Sequence, residues 1–184
     1  MSSSAFVADA APLASVISVT GAWALMYYFF MQLGPSAALT GKAAGQVEWG
    51  RRAFGNLHEQ SVIFLPALWL HALFTSVPEA ALMGWTYLAF RALYPIIWAI
   101  GGGFTQKVLI STLPQYGIVM YMLAVPVAQA SFGLDLKAMV MGSNALGCFI
   151  GFVAFFTLFQ LNANVTQKLV KSFFVKSEKS GKSK

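Results

Sequence analysis

The sequence predicts an all-α protein, an integral membrane helical bundle. Three observations carry that prediction. Of 184 residues, 58% are hydrophobic and 10% are charged, whereas a soluble domain carries about 25% charged residues. The apolar residues gather into five runs, each close to the roughly 20 residues that a helix needs to cross a bilayer. The charges between the runs also favour one side of the membrane, as topology requires. Each run is read as a helix, because an isolated strand cannot satisfy its backbone in lipid.

The first run, 12–33, follows "MSSSAFVADAAPL", which has no basic residue. A cleavable signal peptide opens with positive charge, so this run is predicted to stay in the membrane. The second, 60–78, is entered through "RRAFGNLHEQ" at 51–60. The third, 80–100, contains Arg91, followed by "GGG" at 101–103, read as a flexible loop. A mid-membrane arginine costs at least about 2.5–3.5 kcal/mol, so Arg91 needs a partner or water. The fourth, 109–131, includes "STLPQYGIVMYM". Ser111 or Thr112 is predicted to cap it, with Pro114 in its first turn. The fifth, 138–161, carries Ser143, Gly147 and Gly151 at four-residue spacing. Small residues so spaced let helices approach closely, within this chain or against another. Pro66, Pro95 and Pro126 are expected to distort helices, which membrane bundles tolerate.

Five crossings put the N-terminus and the second and fourth loops on one side, with Asp9, Glu79, Asp135 and Lys137. The other side carries Lys42, Arg51, Arg52 and Lys107. It also carries Lys168, Lys171, Lys176, Lys179, Lys182 and Lys184 of a polar tail, 168–184. The positive-inside rule then predicts a cytosolic C-terminus. The formal net charge of +6 is concentrated in that tail and points to anionic lipid headgroups, not nucleic acid.

Two polar stripes stand out. Arg52, Asn56 and Glu59 lie at i, i+4 and i+7, on one helical face; Arg51 and His58 are expected to point elsewhere. A cation, an amide and an anion so placed can hold a zwitterion: Arg52 takes a carboxylate, Glu59 an ammonium, Asn56 peptide-like groups. Equally, Arg52 and Glu59 can pair with each other or with neighbouring chains at the helix end. The third run has Tyr87, Arg91, Tyr94 and Trp98 on one face. Those aromatics suit an interfacial belt or core packing. An economical partner for Arg91 is Glu59, Asn56 or a ligand carboxylate. Tyr116 is expected near the same end as Arg52.

The segment Arg52-Ala-Phe-Gly-Asn56-Leu-His-Glu59 with "FLPALWL", and then "YLAFRALYP" with Arg91 and Tyr94, resembles the MAPEG family. The name stands for membrane-associated proteins in eicosanoid and glutathione metabolism, including microsomal glutathione S-transferases. The resemblance implies a four-helix core over 1–131; the hydropathy and charge pattern adds a transmembrane helix over 132–167 and a lysine-rich cytosolic tail over 168–184. It implies a homotrimer, in the endoplasmic reticulum or another organelle membrane. It also implies glutathione as cosubstrate, held between subunits by Arg52, Asn56, Glu59, Arg91 and Tyr94. Family activities include glutathione transfer to lipophilic electrophiles, peroxidase chemistry and eicosanoid synthesis, and one branch binds lipid without catalysis.

Three departures from the family pattern matter. Eicosanoid-forming members carry a fourth-helix arginine, four residues after a tyrosine; counted from Tyr116, that position is Met120. Several members have a tyrosine after the motif glutamate, where this chain has Gln60. A thiol with a pKa near 8.5 is mostly protonated at neutral pH, and methionine cannot stabilise its thiolate. Tyr116, Tyr121 and Lys107 are the substitutes available for a catalytic role. The fifth run is the third departure, suited to covering an outer surface or docking a partner.

Two functional readings follow: a glutathione-dependent transferase or peroxidase acting on lipophilic substrates, or a noncatalytic lipid-binding or structural subunit of a larger membrane complex. A transporter or channel is a third class. No ligand cluster surrounds His58 or His71, so no metal is expected. The lone cysteine, Cys148, excludes an intramolecular disulfide and reads as a small buried hydrophobe.

Overall fold

The computed structural model of the chain describes residues 11–41, 44–103, 105–141, 161 and 164–171. The chain divides into two compact units, Met1–Leu134 and Asp135–Lys184. In the first, a 3-10 turn leads into four long helices: α1 (Ala14–Leu39), α2 (Ala44–Phe74), α3 (Val77–Gly101) and α4 (Leu109–Phe132). In the second, α5 (Leu136–Met141) is short, and residues 161 and 164–171 are helical. No strand occurs among the described residues, so the chain is all-α. Most of the fifth run, with Ser143, Gly147, Cys148 and Gly151, lies outside the described residues, as do Asp9 and the end of the tail.

Among the described residues three stretches are long and apolar enough to cross a membrane: Ala11–Leu39, Val77–Gly101 and Gln106–Phe132. The expected second crossing, 60–78, is corrected. Its helix starts earlier, at Ala44, and stops at Phe74, where Thr75 and Ser76 turn the chain. From Gln60 to Phe74 a helix rises only about 22 Å, short of the roughly 30 Å hydrocarbon core. The polar first half of α2 completes the helix.

Side-chain pairs set the register. Trp23 Nε1 donates to Ser61 Oγ at 3.1 Å and Tyr27 pairs with His58 at 2.9 Å. Gly34 meets Gly50, where a β-carbon on Gly50 would lie 2.5 Å from the Gly34 nitrogen. Residue numbers rise on α1 as they fall on α2, so the two run antiparallel. The same holds for α2 and α3, where Trp49 Nε1 donates to the Pro95 carbonyl at 2.8 Å and Phe64 stacks on Tyr87 at 3.8 Å between centroids. Helices α2 and α3 each touch all three others and form the centre, with α1 and α4 flanking them. The core is Val16, Val19, Phe64, Leu68, Leu88, Val119 and Met122, with Tyr87 inside it.

The helix ends follow local chemistry. Ser76 caps α3, its Oγ accepting from the Glu79 amide, with Pro78 in the first turn where no amide donor is needed. Gly102 (φ 67°) and Gly133 (φ 63°) close α3 and α4 in the left-handed conformation that glycine adopts freely. The expected cap of α4 is corrected. A 3-10 turn, Gln106–Val108, feeds the helix directly, and the Ser111 and Thr112 hydroxyls donate back to the Val108 carbonyl. They therefore satisfy a carbonyl and no amide, and Pro114 falls in the second turn. Pro66, Pro95 and Pro126 all sit within continuous helices.

Candidate functional site

The polar first half of α2 faces the last turns of α3 across a cleft of about 560 Å³. Glu48, Arg51, Arg52, Gly55, Asn56 and Glu59 supply one wall, Tyr94 and Trp98 the other. Helical spacing explains the stripe: Glu48, Arg52 and Asn56 are four apart, and Glu59 follows three later. The antiparallel register brings Tyr94 and Trp98 to the same level, with the Trp49–Pro95 hydrogen bond fixing the two helices there.

The ion pairing differs from the sequence alternative. Arg52 Nε donates to Glu48 Oε1 at 3.0 Å, in an exposed i, i+4 pair, and not to Glu59. Among the described residues Glu59 accepts no hydrogen bond, and its carboxylate stays in electrostatic reach of Arg91. Arg51 was expected to point elsewhere, yet it lines the cleft. Its stem is long enough to reach round the helix, and Gly34 on α1 leaves room beside it: a β-carbon there would sit 3.3 Å from Arg51 Cγ.

Beneath the cleft lies the buried cation. Arg91 is 0% exposed. Its Nη2 donates to Asn56 Oδ1 at 2.6 Å and its Nη1 to Gln115 Oε1 at 2.9 Å. Its Cζ stands 5.3 Å from the Tyr94 ring centroid. Of the partners expected for Arg91, Asn56 makes the direct bond and Glu59 acts through space. Tyr87, Arg91 and Tyr94 are all buried, so the α3 stripe is an inward face and not an interfacial belt. Arg91 therefore underlies the cleft, while Arg52, Asn56, Glu59 and Tyr94 line it.

The catalytic candidates scatter. Tyr116 OH accepts from Gln60 Nε2 at 3.1 Å and lies in electrostatic reach of Arg91. Lys107 sits exposed in the 3-10 turn before α4. Tyr121 is not brought to the cleft. Its hydroxyl donates to Glu79 Oε1 at 2.5 Å, beside His71 Nε2 at 3.8 Å from the same oxygen. Glu79 precedes Arg91 by twelve residues on α3, about 18 Å along the helix, so this cluster belongs to the opposite end of the bundle. His71, for which no ligand cluster was expected, is buried beside the Glu79 carboxylate. Met120 is 48% exposed, whereas Arg91 is fully buried.

Sequence reasoning missed Gln115 and Glu48. Gln115 is buried, and its Nε2 donates to the Ser111 carbonyl while its Oε1 holds Arg91. An amide inside an apolar run was the available signal. Glu48 stands four residues before Arg52, a spacing that favours an ion pair. A second hollow of about 760 Å³ adjoins through Trp98 and is mostly apolar, with Leu33, Ala37, Trp49 and Ala99 in its walls. Among the described residues no group of three or more His, Cys, Asp or Glu could hold a metal.

A model of the MAPEG family matches residues 5–131, which span the whole four-helix unit up to Ser131. No curated protein and no solved structure matches the chain.

Proposed function

Since this chain belongs to the MAPEG family, we propose that it is a glutathione-dependent transferase or peroxidase acting on lipophilic substrates at the membrane. One observation carries the reading. The cleft offers an anion, a cation and an amide donor that no bond among the described residues consumes: Glu59, Arg51 and the Asn56 amide nitrogen. A peptide zwitterion needs that set; Arg51 and Glu59 are exposed and Asn56 is half-buried, so a ligand entering the cleft can reach all three.

The residues fit the cosubstrate in named roles. Arg52 uses only Nε toward Glu48, which leaves its terminal nitrogens for a carboxylate, in the fork geometry that carboxylates favour. Glu59 accepts the ammonium, and Asn56 donates to a peptide carbonyl while its oxygen stays on Arg91. Tyr94 and Trp98 form the opposite wall. Bound there, glutathione supplies the thiol that serves as nucleophile or reductant. Arg91 is held by two neutral amide oxygens, so its charge is not cancelled by a bonded carboxylate. It lends positive potential to the cleft floor, where developing negative charge on sulfur is stabilised. Gln60 donates to the Tyr116 hydroxyl, which polarises that group as a further donor. The apolar hollow beyond Trp98 suits a lipophilic partner delivered from the bilayer. The assembly we propose is a homotrimer in the endoplasmic reticulum or another organelle membrane, with the C-terminus and the cleft cytosolic.

A second reading has its own support. Met120 faces outward and Arg91 is wholly enclosed, so no arginine touches a ligand from α3 or α4. That arrangement suits a noncatalytic lipid-binding or structural subunit of a larger membrane complex. Glutathione binding to the detergent-solubilised protein separates the two. The enzyme reading expects binding that Arg52→Ala and Glu59→Ala each abolish, and turnover of a lipophilic electrophile. Binding without turnover favours the accessory reading, and no binding at all rejects the cosubstrate.

A further inference from the structure

We propose that the helix at 164–171 is an interfacial arm that binds the surface of a membrane rich in anionic lipid, its apolar side in the acyl boundary and its lysines on the acidic headgroups. The argument begins with spacing. Asn164, Gln167, Lys168 and Lys171 fall at i, i+3, i+4 and i+7, which puts them on one face of a helix. Val165, Thr166, Leu169 and Val170 fill the opposite side. All eight residues are helical and all are exposed. Among them Val165 shows 54% of its surface, Leu169 55% and Val170 47%. An eight-residue helix rises about 12 Å, far short of the roughly 30 Å hydrocarbon core. Alone it can lie on a bilayer but not cross it.

Charge selects the occupant. From 168 to 184 the sequence holds Lys168, Lys171, Lys176, Lys179, Lys182 and Lys184 against one acid, Glu178. A freely solvated tail gains nothing from an apolar side, and a hydrophobic protein groove gains nothing from a run of lysines. An anionic leaflet satisfies both. Apolar side chains sink to the boundary between headgroups and acyl chains, while lysine stems extend along it and keep their ammonium groups among the headgroups. Each lysine near such a surface favours binding by about fivefold, and the attraction fades within about a Debye length. Such an arm favours membranes whose facing leaflet carries acidic lipid, whichever ligand the cleft takes.

The test uses the full-length protein with its single cysteine removed by Cys148→Ser, carrying one spin label at Val165→Cys or at Gln167→Cys. It is reconstituted in vesicles of phosphatidylcholine alone and of phosphatidylcholine mixed equally with phosphatidylserine. Electron paramagnetic resonance compares collisions with oxygen, which partitions into lipid, and with a water-soluble nickel chelate. In the acidic vesicles the label at 165 is expected to favour oxygen and the label at 167 nickel. With phosphatidylcholine alone, or in about 1 M salt, where the Debye length falls to about 3 Å, both labels should favour nickel. Lys168→Gln with Lys171→Gln should lower the ratio of lipid-bound to water-exposed label at 165 by about tenfold or more. Lys168→Arg with Lys171→Arg keeps the charge and should not lower it. The proposal is overturned if the label at 165 behaves alike in the two kinds of vesicle, or if the glutamine pair leaves it unchanged. It is also overturned if the label is shielded from both reagents, which would place the helix against a protein surface.

Discussion

Removing an acceptor from Arg91 tests the buried network most directly. Gln115→Leu deletes one of the two neutral oxygens that hold the guanidinium. A hydrogen bond to a charged group contributes about 1.5–3 kcal/mol, and leaving the charged partner unsatisfied costs at least that. Interhelical polar contacts in bilayers average nearer 0.6 kcal/mol, because helices unfolded in the membrane find other partners. Arg91 should lie at the upper end, since it is a fully enclosed cation and its Nε has no partner among the described residues. We expect Gln115→Leu to destabilise by about 2 kcal/mol. Arg91→Met should cost less than that, because it removes the buried charge together with its insertion penalty of about 2.5–3.5 kcal/mol. Once Met stands at 91, Leu at 115 has no cation to abandon. The double variant should therefore be more stable than the sum of the single effects implies, by about 1.5 kcal/mol or more. Equilibrium unfolding in lipid–detergent micelles measures all four corners of the cycle. Additivity to within about 0.5 kcal/mol, the scatter expected of independent sites, would refute the claim that Gln115 carries the charge of Arg91.

Three further outcomes follow from the packing. Tyr87→Phe removes a buried hydroxyl with no partner among the described residues and keeps the stack on Phe64; melting should show unchanged or raised stability, by up to about 1 kcal/mol, and a marked loss would mean the hydroxyl is bonded. Gly50→Ala drives a β-carbon to 2.5 Å from the backbone of Gly34 and should destabilise by about 1–3 kcal/mol, while Gly21→Ala, with open space around it, should be neutral in the same unfolding assay. Tyr121→Phe loses the bond to Glu79 and should cost about 1 kcal/mol, yet leave glutathione affinity unchanged, because that cluster is about 18 Å along α3 from Arg91.

The fold class and the contact between Asn56 and Arg91 were legible in the sequence because lipid imposes simple demands. Apolar runs must be helices, and an intramembrane arginine must find polar company. Asn56 was therefore a readable partner for Arg91. Gln115 was not, because helical spacing relates residues within one helix and says nothing of which α4 residue meets α3. The true length of α2 was hidden for a related reason. Hydropathy marks where apolar residues begin, at Gln60, whereas the helix begins at Ala44 because its polar half packs on α1 and α3. Arg51 was misplaced because a stripe argument fixes the direction of a Cβ, while a guanidinium five bonds further out can reach round the helix. Tyr121 was drawn toward the site by chemistry alone, and Glu79 claimed it at the other end.

The contrast between the two polar ends bears on function. At the Glu79 end an acid meets a tyrosine and a histidine, and its hydrogen-bonding capacity is used within the protein. At the cleft end the buried cation meets only amides, and the nearest carboxylate, Glu59, accepts no hydrogen bond among the described residues. An amide oxygen satisfies the guanidinium's donors without neutralising its charge. In a low-dielectric surrounding that residual field reaches further than it would in water. A structural role alone would be served by a carboxylate at position 56 or 115, which would cancel the charge and lower the burial cost. Neutral partners keep a positive floor under a cleft whose walls still offer an anion and cations. An electrostatic task toward a bound anion explains that choice, and a mere helix clasp does not. Gln115→Glu, at a residue outside the cleft lining, tests the difference: it should leave the protein folded while weakening glutathione binding, and unchanged affinity in a calorimetric titration would return Arg91 to a purely structural part.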